Sequence, residues 1–207
     1  MTDRESISYT LLRIGAVSLR PHEPFTWTSG IKSPIYCDNR LTLSSVVARK
    51  QVIEYFIKVI SYQFPQVESL AGTATAGIPH AALIADRLSL PMVYVRDKAK
   101  SHGKQNQVEG RLLSGQKVLV IEDTISTGGS SLAAVDAIEQ LGANVIGVMA
   151  IFNYGFKAAT QAFADRKIPL STLTDFATLT HIAIQNNDIE KEDLEILERF
   201  AQNPFGR

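Results

Sequence analysis

Short apolar runs alternate with amphipathic segments through the middle of the chain. The apolar runs are rich in Val, Ile and Leu and show little polar alternation, which is typical of strands covered on both faces. The amphipathic segments have apolar residues at helical spacing. We place strands at Val67–Ala71, Met92–Val95, Lys117–Ile121 and Asn144–Ile151, and helices at Leu41–Phe64, Ile78–Leu88 and Ser131–Leu141. This order predicts an α/β fold with a central, mainly parallel sheet flanked by helices.

Two segments break the alternation. The N-terminal part, Ile7–Arg40, predicts a helix followed by an irregular stretch at Phe25–Gly30. The polar segment Ala99–Arg111 contains two glycines and lies between two predicted strands. A long polar loop inside a compact domain is often functional. Near the C-terminus, Ile189–Phe200 predicts a charged amphipathic helix that packs on the core.

The composition limits the class of protein. The 207 residues include 21 basic and 21 acidic side chains, so no net charge favours nucleic acid or an anionic membrane as partner. The longest apolar run, around Val145–Phe152, is too short to span a bilayer. Cys37 is the only cysteine, which excludes an intrachain disulfide and a thiolate metal cluster. Residues Met1–Thr10 do not resemble a secretory signal, so we predict a cytoplasmic, single-domain protein over residues 1–207.

The segment Val118–Ser130 has the composition of a phosphate site. Aliphatic residues form the predicted strand, two acids follow at its carboxyl end, and hydroxyls and glycines lead into the next helix. Ligands of open α/β sheets bind beyond the carboxyl ends of the strands. Backbone N–H groups at a helix start bind anions, and Gly128 and Gly129 have no side chain to prevent a close approach. An ordinary capped turn between strand and helix is the alternative.

The acids Glu122 and Asp123 need a separate reason, because carboxylates beside a phosphate would repel it. Two vicinal ribose hydroxyls could donate hydrogen bonds to them, and a magnesium ion bound to the ligand would offset the negative charge. The nucleotide motifs G-x-x-x-x-G-K-[ST] and G-x-G-x-x-G are absent. Gly72–Gly77 has the first half of the former motif, but Ile78 and Pro79 follow it.

The segment resembles the 5-phosphoribosyl 1-diphosphate (PRPP) signature of the type I phosphoribosyltransferases almost letter for letter. The resemblance implies the type I phosphoribosyltransferase fold, PRPP as a small-molecule substrate and Mg²⁺ as cofactor. It also implies that Glu122 and Asp123 hold the ribose hydroxyls, that Asp123 is catalytic, and that Thr124–Ser130 surrounds the 5-phosphate. The PRPP-binding residues of this segment would be Glu122, Asp123, Thr124, Ile125, Ser126, Thr127, Gly128, Gly129 and Ser130. The matching diphosphate loop would be Thr73, Ala74, Thr75 and Ala76.

The polar segment Arg96–Gly110 resembles the catalytic loop of the orotate phosphoribosyltransferases. Arg96, Lys98, Lys100 and His102 place three cations and a titratable imidazole close together. Positive charge suits a departing diphosphate, whose negative charge grows as the C–O bond breaks. A solvated charged loop is the alternative. The resemblance implies that all four residues bind PRPP and that the protein is a homodimer. In it, Arg96, Lys100 and His102 would reach the neighbour's site, with Lys100 and His102 catalytic and Lys100 most important for the rate.

The segment Phe25–Arg40 is similar to part of the N-terminal hood that covers the base in the orotate family; here the hood spans residues 7–40 and the core about 41–207. Aromatic faces suit stacking on a planar pyrimidine, and hydroxyl or main-chain donors suit its carbonyl and carboxylate groups. An irregular hydrophobic cover without ligand contacts is the alternative. The predicted orotate-binding residues are Ser126, Lys32, Tyr36, Asp38 and Arg40, with Ser126 favoured for the carboxylate. We expect no metal ligands among the scattered histidines and no nucleophilic role for Cys37.

The chain departs from one branch of the family. That branch has Lys where Thr28 stands, Tyr-Lys where Thr75-Ala76 stands and Arg where Tyr154 stands, so several cations are missing here. We interpret these changes as subfamily differences. The resemblance covers nearly the whole chain and implies transfer of the phosphoribosyl group of PRPP to orotate, giving orotidine 5′-monophosphate and diphosphate in pyrimidine (UMP) biosynthesis. The alternatives are transfer to a purine base and a PRPP-sensing regulator. The regulator should have a DNA-binding extension or a basic face, and the sequence shows neither.

Overall fold

The protein, a computed structural model, is described over residues 1–27, 30–97 and 107–205, and its strands and helices alternate along most of the chain. The strands are β1 Val17–Leu19, β2 Phe25–Thr26, β3 Lys32–Ser33, β4 Ile35–Cys37, β5 Ser69–Thr73, β6 Met92–Val95, β7 Val108–Glu109, β8 Lys117–Ile125, β9 Asn144–Asn153 and β10 Leu170–Asp175. The helices are α1 Asp3–Arg13, α2 Leu41–Ser44, α3 Val46–Gln63, α4 Gly77–Leu88, α5 Gly129–Glu139, α6 Lys157–Asp165, α7 Phe176–Gln185 and α8 Leu194–Gln202, with a 3-10 turn at Lys191–Asp193.

The central sheet has six strands in the order β10-β9-β8-β5-β6-β7. Neighbouring strands run parallel, except that β7 pairs antiparallel with β6 at one edge. The predicted α/β fold with a mainly parallel sheet is therefore confirmed, and all four predicted strands lie in it. Strand β8, which carries the predicted PRPP segment, lies inside the sheet with a neighbour on each side.

Alternate residues of β8 enter two separate apolar cores. Leu119 and Ile121 pack with residues of α1, α3, α4 and α7 on one face of the sheet. Val118 and Val120 pack with residues of α5 and α6 on the other face. Successive side chains of a strand point to opposite faces, so a strand covered on both faces has no solvent-exposed position. This arrangement explains why β8 begins as an unbroken apolar run.

The N-terminal hood contains two small antiparallel strand pairs. Strand β1 pairs with β4, and β2 pairs with β3. Helix α1 precedes them, as predicted. The prediction of an irregular stretch at Phe25–Gly30 is wrong for its first two residues, because they form β2. Thr28 and Ser29, in the middle of that stretch, lie outside the described residues.

The other differences from the predicted elements have local causes. The predicted helix Leu41–Phe64 is two helices, because Ser45 has an extended backbone and its hydroxyl accepts a hydrogen bond from the N–H of Ala48, which caps the start of α3. Strand β10 and helices α6 and α7 were not predicted, and β7 lies inside the predicted polar loop. Helix α8 lies where a C-terminal helix was predicted. None of the described helices is long and apolar enough to cross a membrane.

Candidate active site

The carboxyl ends of β5 and β8 lie side by side. The two strands are parallel, and Gly72 pairs with Ile121. Thr73, the last residue of β5, donates its hydroxyl to the carbonyl oxygen of Ile121 at 3.2 Å. The predicted diphosphate loop, residues 73–76, and the predicted PRPP segment, residues 122–130, therefore begin at adjacent positions on one edge of the sheet. This edge is where open α/β sheets bind their ligands.

Glu122 is a buried acid in the carboxyl-terminal half of strand β8, and only 5% of the residue is exposed. The hydroxyls of Ser130 and Ser131, in the first turn of α5, both lie 3.3 Å from its Oε2 and donate to it. Burial raises the pKa of Glu122 to about 7, against the opposing effect of the nearby Thr73 hydroxyl, and the charge of Asp123 raises it further. Glu122 therefore changes its charge close to neutral pH.

Asp123 points to the opposite face of β8, as the next residue in a strand does. The residue is half-buried, and its Oδ2 accepts a hydrogen bond from the Thr124 hydroxyl at 3.2 Å. On the same side lies His80 of α4, which is fully buried and has no hydrogen-bond partner for either ring nitrogen within the described ranges. Burial lowers the pKa of His80 to about 4, against the opposing effect of the Asp123 charge. His80 is therefore neutral at physiological pH.

The rest of the predicted PRPP segment forms the turn into α5. The Ile125 side chain is buried in the core, so only its backbone could reach a ligand. Thr127, Gly129 and Ser130 are exposed, and the first-turn N–H groups of a helix have no partner within it. Gly128 has φ +82°, and a Cβ there would lie 2.8 Å from the Phe163 ring, so this turn requires glycine. The turn offers N–H and hydroxyl donors to an anion.

One cavity joins the predicted diphosphate loop to the predicted catalytic loop. We call it the diphosphate cavity; it has a volume of about 270 Å³. Its lining includes Thr73 and Ala74, Arg96, and Ser130. Arg96 Nη1 also lies 3.5 Å from Glu109 Oε1. The structure thus brings Arg96 to the PRPP segment of its own chain, while Lys98, Lys100 and His102 lie outside the described residues.

A second cavity, also of about 270 Å³, lies between the hood and the PRPP segment. We call it the base cavity; its lining residues are Trp27, Tyr36, Cys37, Ser126 and Tyr154. The rings of Trp27 and Tyr154 meet edge to face with centroids 5.5 Å apart. Trp27 is held in the hood by a hydrogen bond from its Nε1 to the carbonyl oxygen of Ile35 at 3.2 Å. Two predicted orotate-binding residues, Tyr36 and Ser126, are therefore together, and both lie beside aromatic rings.

Tyr154 was noted in the sequence only as a difference from one branch of the family, yet it forms one wall of the base cavity. The residue is 6% exposed, and its backbone N–H donates to the carbonyl oxygen of Ile125 at 3.0 Å. This bond ties the end of β9 to the end of β8. Burial, with the nearby Cys37 thiol, raises the pKa of the phenol, so Tyr154 stays a neutral hydrogen-bond donor.

The structure does not bring the remaining predicted orotate-binding residues into the lining of the base cavity. Lys32 lines a different cavity, against α8, and its Nζ donates to the Thr26 hydroxyl at 2.7 Å. Arg40 donates two hydrogen bonds to the Asp38 carboxylate, from Nε to Oδ1 at 2.7 Å and from Nη2 to Oδ2 at 3.0 Å. The hydrogen bonds from Arg40 hold the pKa of Asp38 below its usual value. Asp38 and Arg40 are therefore paired with each other and do not line the base cavity.

The acids of the site fit a magnesium ion that arrives with its ligand. Within residues 1–27, 30–97 and 107–205, no three His, Cys, Asp or Glu side chains are grouped so that they could hold a metal ion. Glu122 and Asp123 point to opposite faces of β8, so they do not form a cage. Mg²⁺ is usually bound through one or two carboxylates, phosphate oxygens and water. The diphosphate of a substrate could supply most of those oxygens here.

Comparison with known proteins identifies the family. A family profile described as phosphoribosyl transferase domain matches residues 48–181. The chain is 55% identical over 200 residues to the orotate phosphoribosyltransferase of Enterococcus faecalis, which covers 97% of this chain and 95% of the relative. It is 54% identical over 201 residues to that of Bacillus subtilis, covering 97% and 93%. The chain belongs to the orotate phosphoribosyltransferase family. The crystal structure of the Aeropyrum pernix orotate phosphoribosyltransferase is also similar, with a TM-score of 0.77 at 27% identity over 89% of this chain and 99% of that chain.

Membership of this family confirms the predicted resemblance and the type I phosphoribosyltransferase fold. The matched domain contains β5 to β10 and both predicted phosphate segments, but it begins after the hood. The similarity to the curated orotate phosphoribosyltransferases extends over nearly the whole chain, so it includes the hood and the base cavity. The roles of the individual site residues stay predictions.

Proposed function

We propose that this protein transfers the 5-phosphoribosyl group of PRPP to orotate, forming orotidine 5′-monophosphate and diphosphate, with Mg²⁺ bound to the diphosphate. One observation carries the proposal: the PRPP segment borders both cavities, through Ser130 in the diphosphate cavity and Ser126 in the base cavity. A ribose held by Glu122 and Asp123 would lie between the two. Its anomeric carbon would then face a leaving diphosphate on one side and an incoming base on the other.

The residues of the diphosphate cavity suit the bond that breaks. The C1–O bond of PRPP breaks and a C1–N bond to the base forms, through a transition state with positive charge on the ribose, as in other glycosyl transfers. The base nitrogen that forms the new bond loses its proton to the departing diphosphate or to water. The electron pair of the broken bond leaves with the diphosphate, so negative charge grows near Arg96 and the loop of residues 73–76. Magnesium would neutralise part of this charge. Glu122 and Asp123 would accept hydrogen bonds from the ribose hydroxyls and hold the ring in place.

The base cavity suits a planar, anionic pyrimidine. Trp27 and Tyr36 offer ring surface for contact with the base. The Ser126 hydroxyl, close to the α5 start, offers a donor to the carboxylate of orotate. The aromatic rings exclude water, which protects the positively charged ribose from hydrolysis.

The proposed reaction can be followed through the loss of orotate absorbance when the protein is mixed with PRPP and Mg²⁺. We expect turnover with orotate, none with uracil or with a purine base, and loss of turnover when Mg²⁺ is removed by a chelator and its return when Mg²⁺ is added back. Turnover with uracil or a purine, but not with orotate, would show that the base has been assigned wrongly. PRPP binding without any turnover would favour a PRPP-sensing regulator.

Replacing Tyr154 with phenylalanine tests whether its phenol contacts the base. Removing one hydrogen-bond donor from a buried site weakens binding by roughly tenfold. We expect Tyr154→Phe to raise the KM for orotate by about that factor while the KM for PRPP stays the same. Tyr62→Phe, at an exposed position of α3, is the matched control. An equal rise in both KM values would mean that the phenol supports the site only as packing.

We also propose a homodimer in which the loop containing Lys100 and His102 completes the neighbouring site. Lys100→Ala would disable the loop, and Asp123→Asn would disable the ribose-binding side. If each site combines both parts from different subunits, one site of every mixed dimer is intact. Equal, random mixing of the two variants should then restore about a quarter of the wild-type activity. Mixtures as inactive as the separate variants, with subunit exchange shown independently, would mean that each site uses its own loop.

A further inference from the structure

Asn39 forms a buried polar contact between the hood and the PRPP segment. It follows β4 and is fully buried. Its Nδ2 donates two hydrogen bonds, each of 2.9 Å, to the carbonyl oxygen of Asp123 and to the Thr124 hydroxyl. The hydroxyl and N–H of Thr42 both donate to the carbonyl oxygen of Asn39, so its backbone is also held. The side-chain amide of Asn39 is thus bonded to the backbone of Asp123, the acid that the proposed function assigns to the ribose hydroxyls.

The hydrogen bond from Asn39 to Thr124 determines where the Thr124 hydroxyl can direct its own proton. A hydroxyl that accepts from an amide N–H directs its own single proton elsewhere. Thr124 Oγ1 accepts from Asn39 and lies 3.2 Å from Asp123 Oδ2 and 3.8 Å from Cys37 Sγ. Burial raises the pKa of the Cys37 thiol, so its S–H can donate to Thr124 as well, and the Thr124 proton is left to point at the carboxylate. The three groups form one chain: amide to hydroxyl to carboxylate. Hydrogen bonds arranged in this way reinforce each other in a buried setting.

We propose that Asn39 is a positioning residue, which orients the Asp123 carboxylate through Thr124 and so prepares it for the ribose hydroxyls of PRPP. The inference rests on the proposed function, since it assumes that Asp123 meets the ribose. Asn39 does not line either cavity, so it acts on the ligand only through other residues. A carboxylate fixed before the ligand arrives loses less conformational entropy on binding than a freely rotating one.

A purely structural role would have different consequences. If Asn39 only attached the hood to β8, its removal would lower stability without acting through Asp123. The two roles are separated by a double-mutant cycle, in which the effects of two changes add unless the residues act through each other. The measured quantity is the PRPP dissociation constant in the presence of Mg²⁺, determined by calorimetry without any base. It does not depend on whether orotate is the acceptor.

The experiment compares Asn39→Ala, Asp123→Ala and the double variant. We expect Asn39→Ala to weaken PRPP binding about tenfold in the wild-type background, and less than about twofold when Asp123 is already alanine. Equal factors in the two backgrounds would overturn the proposal. No PRPP binding by the wild-type protein would instead contradict the proposed function. Ser8→Ala is the control for lost stability, because Ser8 and Thr174 form a fully buried hydrogen bond between α1 and β10. It should lower the Tm and leave PRPP binding unchanged.

Two substitutions of Thr124, the middle residue of the hydrogen-bond series from Asn39 to Asp123, test the same proposal if the Asn39 variants do not fold. Thr124→Val keeps the volume of the side chain and removes the hydroxyl, whereas Thr124→Ser keeps the hydroxyl. We expect Thr124→Val to weaken PRPP binding as much as Asn39→Ala does in the wild-type background, and by less than about twofold when Asp123 is already alanine. Thr124→Ser should bind PRPP more tightly than Thr124→Val. Equal affinities for Val and Ser at this position would show that the hydroxyl does not orient Asp123.

Discussion

Replacing Gly77 with alanine is expected to destabilise the protein by about 3 kcal/mol, among the larger effects of a single substitution. Gly77 is the first residue of α4 and packs directly on β8. A Cβ at this position would lie 2.3 Å from the carbonyl oxygen of Ile121 and 2.5 Å from the Thr73 hydroxyl. The first of these atoms belongs to the backbone of a central strand, so it cannot rotate away. Either α4 or the end of β8 must move.

The movement should also affect the site, because both elements that would separate carry predicted PRPP residues. Residues 73–76 lead into α4, and Glu122 follows Ile121 in β8. We therefore expect Gly77→Ala to weaken PRPP binding, measured by calorimetry, as well as to lower the free energy of unfolding in urea. Gly129→Ala is the stability control, since its Cβ would meet only the Thr127 hydroxyl, at 3.9 Å. Unfolding of Gly77→Ala at the wild-type urea concentration would contradict the tight contact between α4 and β8.

The interior of the fold was predictable from the sequence because burial on two faces leaves a simple pattern. Strands β5, β8 and β9 are covered on both sides and were found as apolar runs. Strand β6 was also found as an apolar run, although its Tyr94 is exposed. Strand β10 was missed because it is an edge strand with the mixed sequence LSTLTD, in which only Leu173 and Thr174 are buried. The break at Ser45 was missed because apolar spacing continues across it, from Leu41 to Val46.

The candidate site was predictable where its residues are consecutive, and not where distant segments meet. The PRPP segment is a single run, so its residues could be named from the sequence. Asn39 lies 84 positions from Asp123, and nothing in the local sequence indicates that its amide would reach that carbonyl oxygen. Tyr154 reaches the base cavity because β9 lies beside β8, which is a property of the sheet order. Lys32 was predicted as part of the hood segment that is similar to the orotate family, but the short strand β3 presents it to α8.

The second large effect concerns two buried titratable groups, His80 and Glu122. Their contributions to the pH dependence of stability should become visible when one of the two is replaced. The pKa of His80 is about 4 instead of 6.5, because burial disfavours the charged imidazole. The unfolded chain therefore binds this proton first on acidification, and stability is lost as the pH falls from 6.5 to 4. The pKa of Glu122 is about 7 instead of 4.5, because burial disfavours the carboxylate. Here the folded protein binds the proton first, and stability is lost as the pH rises from 4.5 to 7.

The two effects have opposite signs and nearly equal size, since each amounts to about 3 kcal/mol over its full range. Between pH 4.5 and 6.5 they should cancel in the wild-type protein. Glu122→Gln should leave the His80 effect alone, so that relative to wild type it loses about 1.4 kcal/mol of unfolding free energy for each pH unit of acidification. His80→Leu should show the reverse, and gain stability relative to wild type as the pH falls. The unfolding free energy of the double variant should vary with pH in the same way as that of the wild type.

Urea unfolding at several pH values between 4.5 and 7.5 measures these differences directly, and the remaining carboxylates contribute equally to all four proteins. The pH series also bears on the site, because an ionised Glu122 would accept stronger hydrogen bonds from the ribose hydroxyls than a protonated one. PRPP should therefore bind more weakly below pH 7 in the wild type, and binding to Glu122→Gln should be weak at every pH. If Glu122→Gln and wild type lose stability in parallel on acidification, Glu122 is ionised throughout. The hydrogen bonds from Ser130 and Ser131 would then fully offset the cost of burying the Glu122 carboxylate. In that case the affinity for PRPP should not change with pH through titration of Glu122.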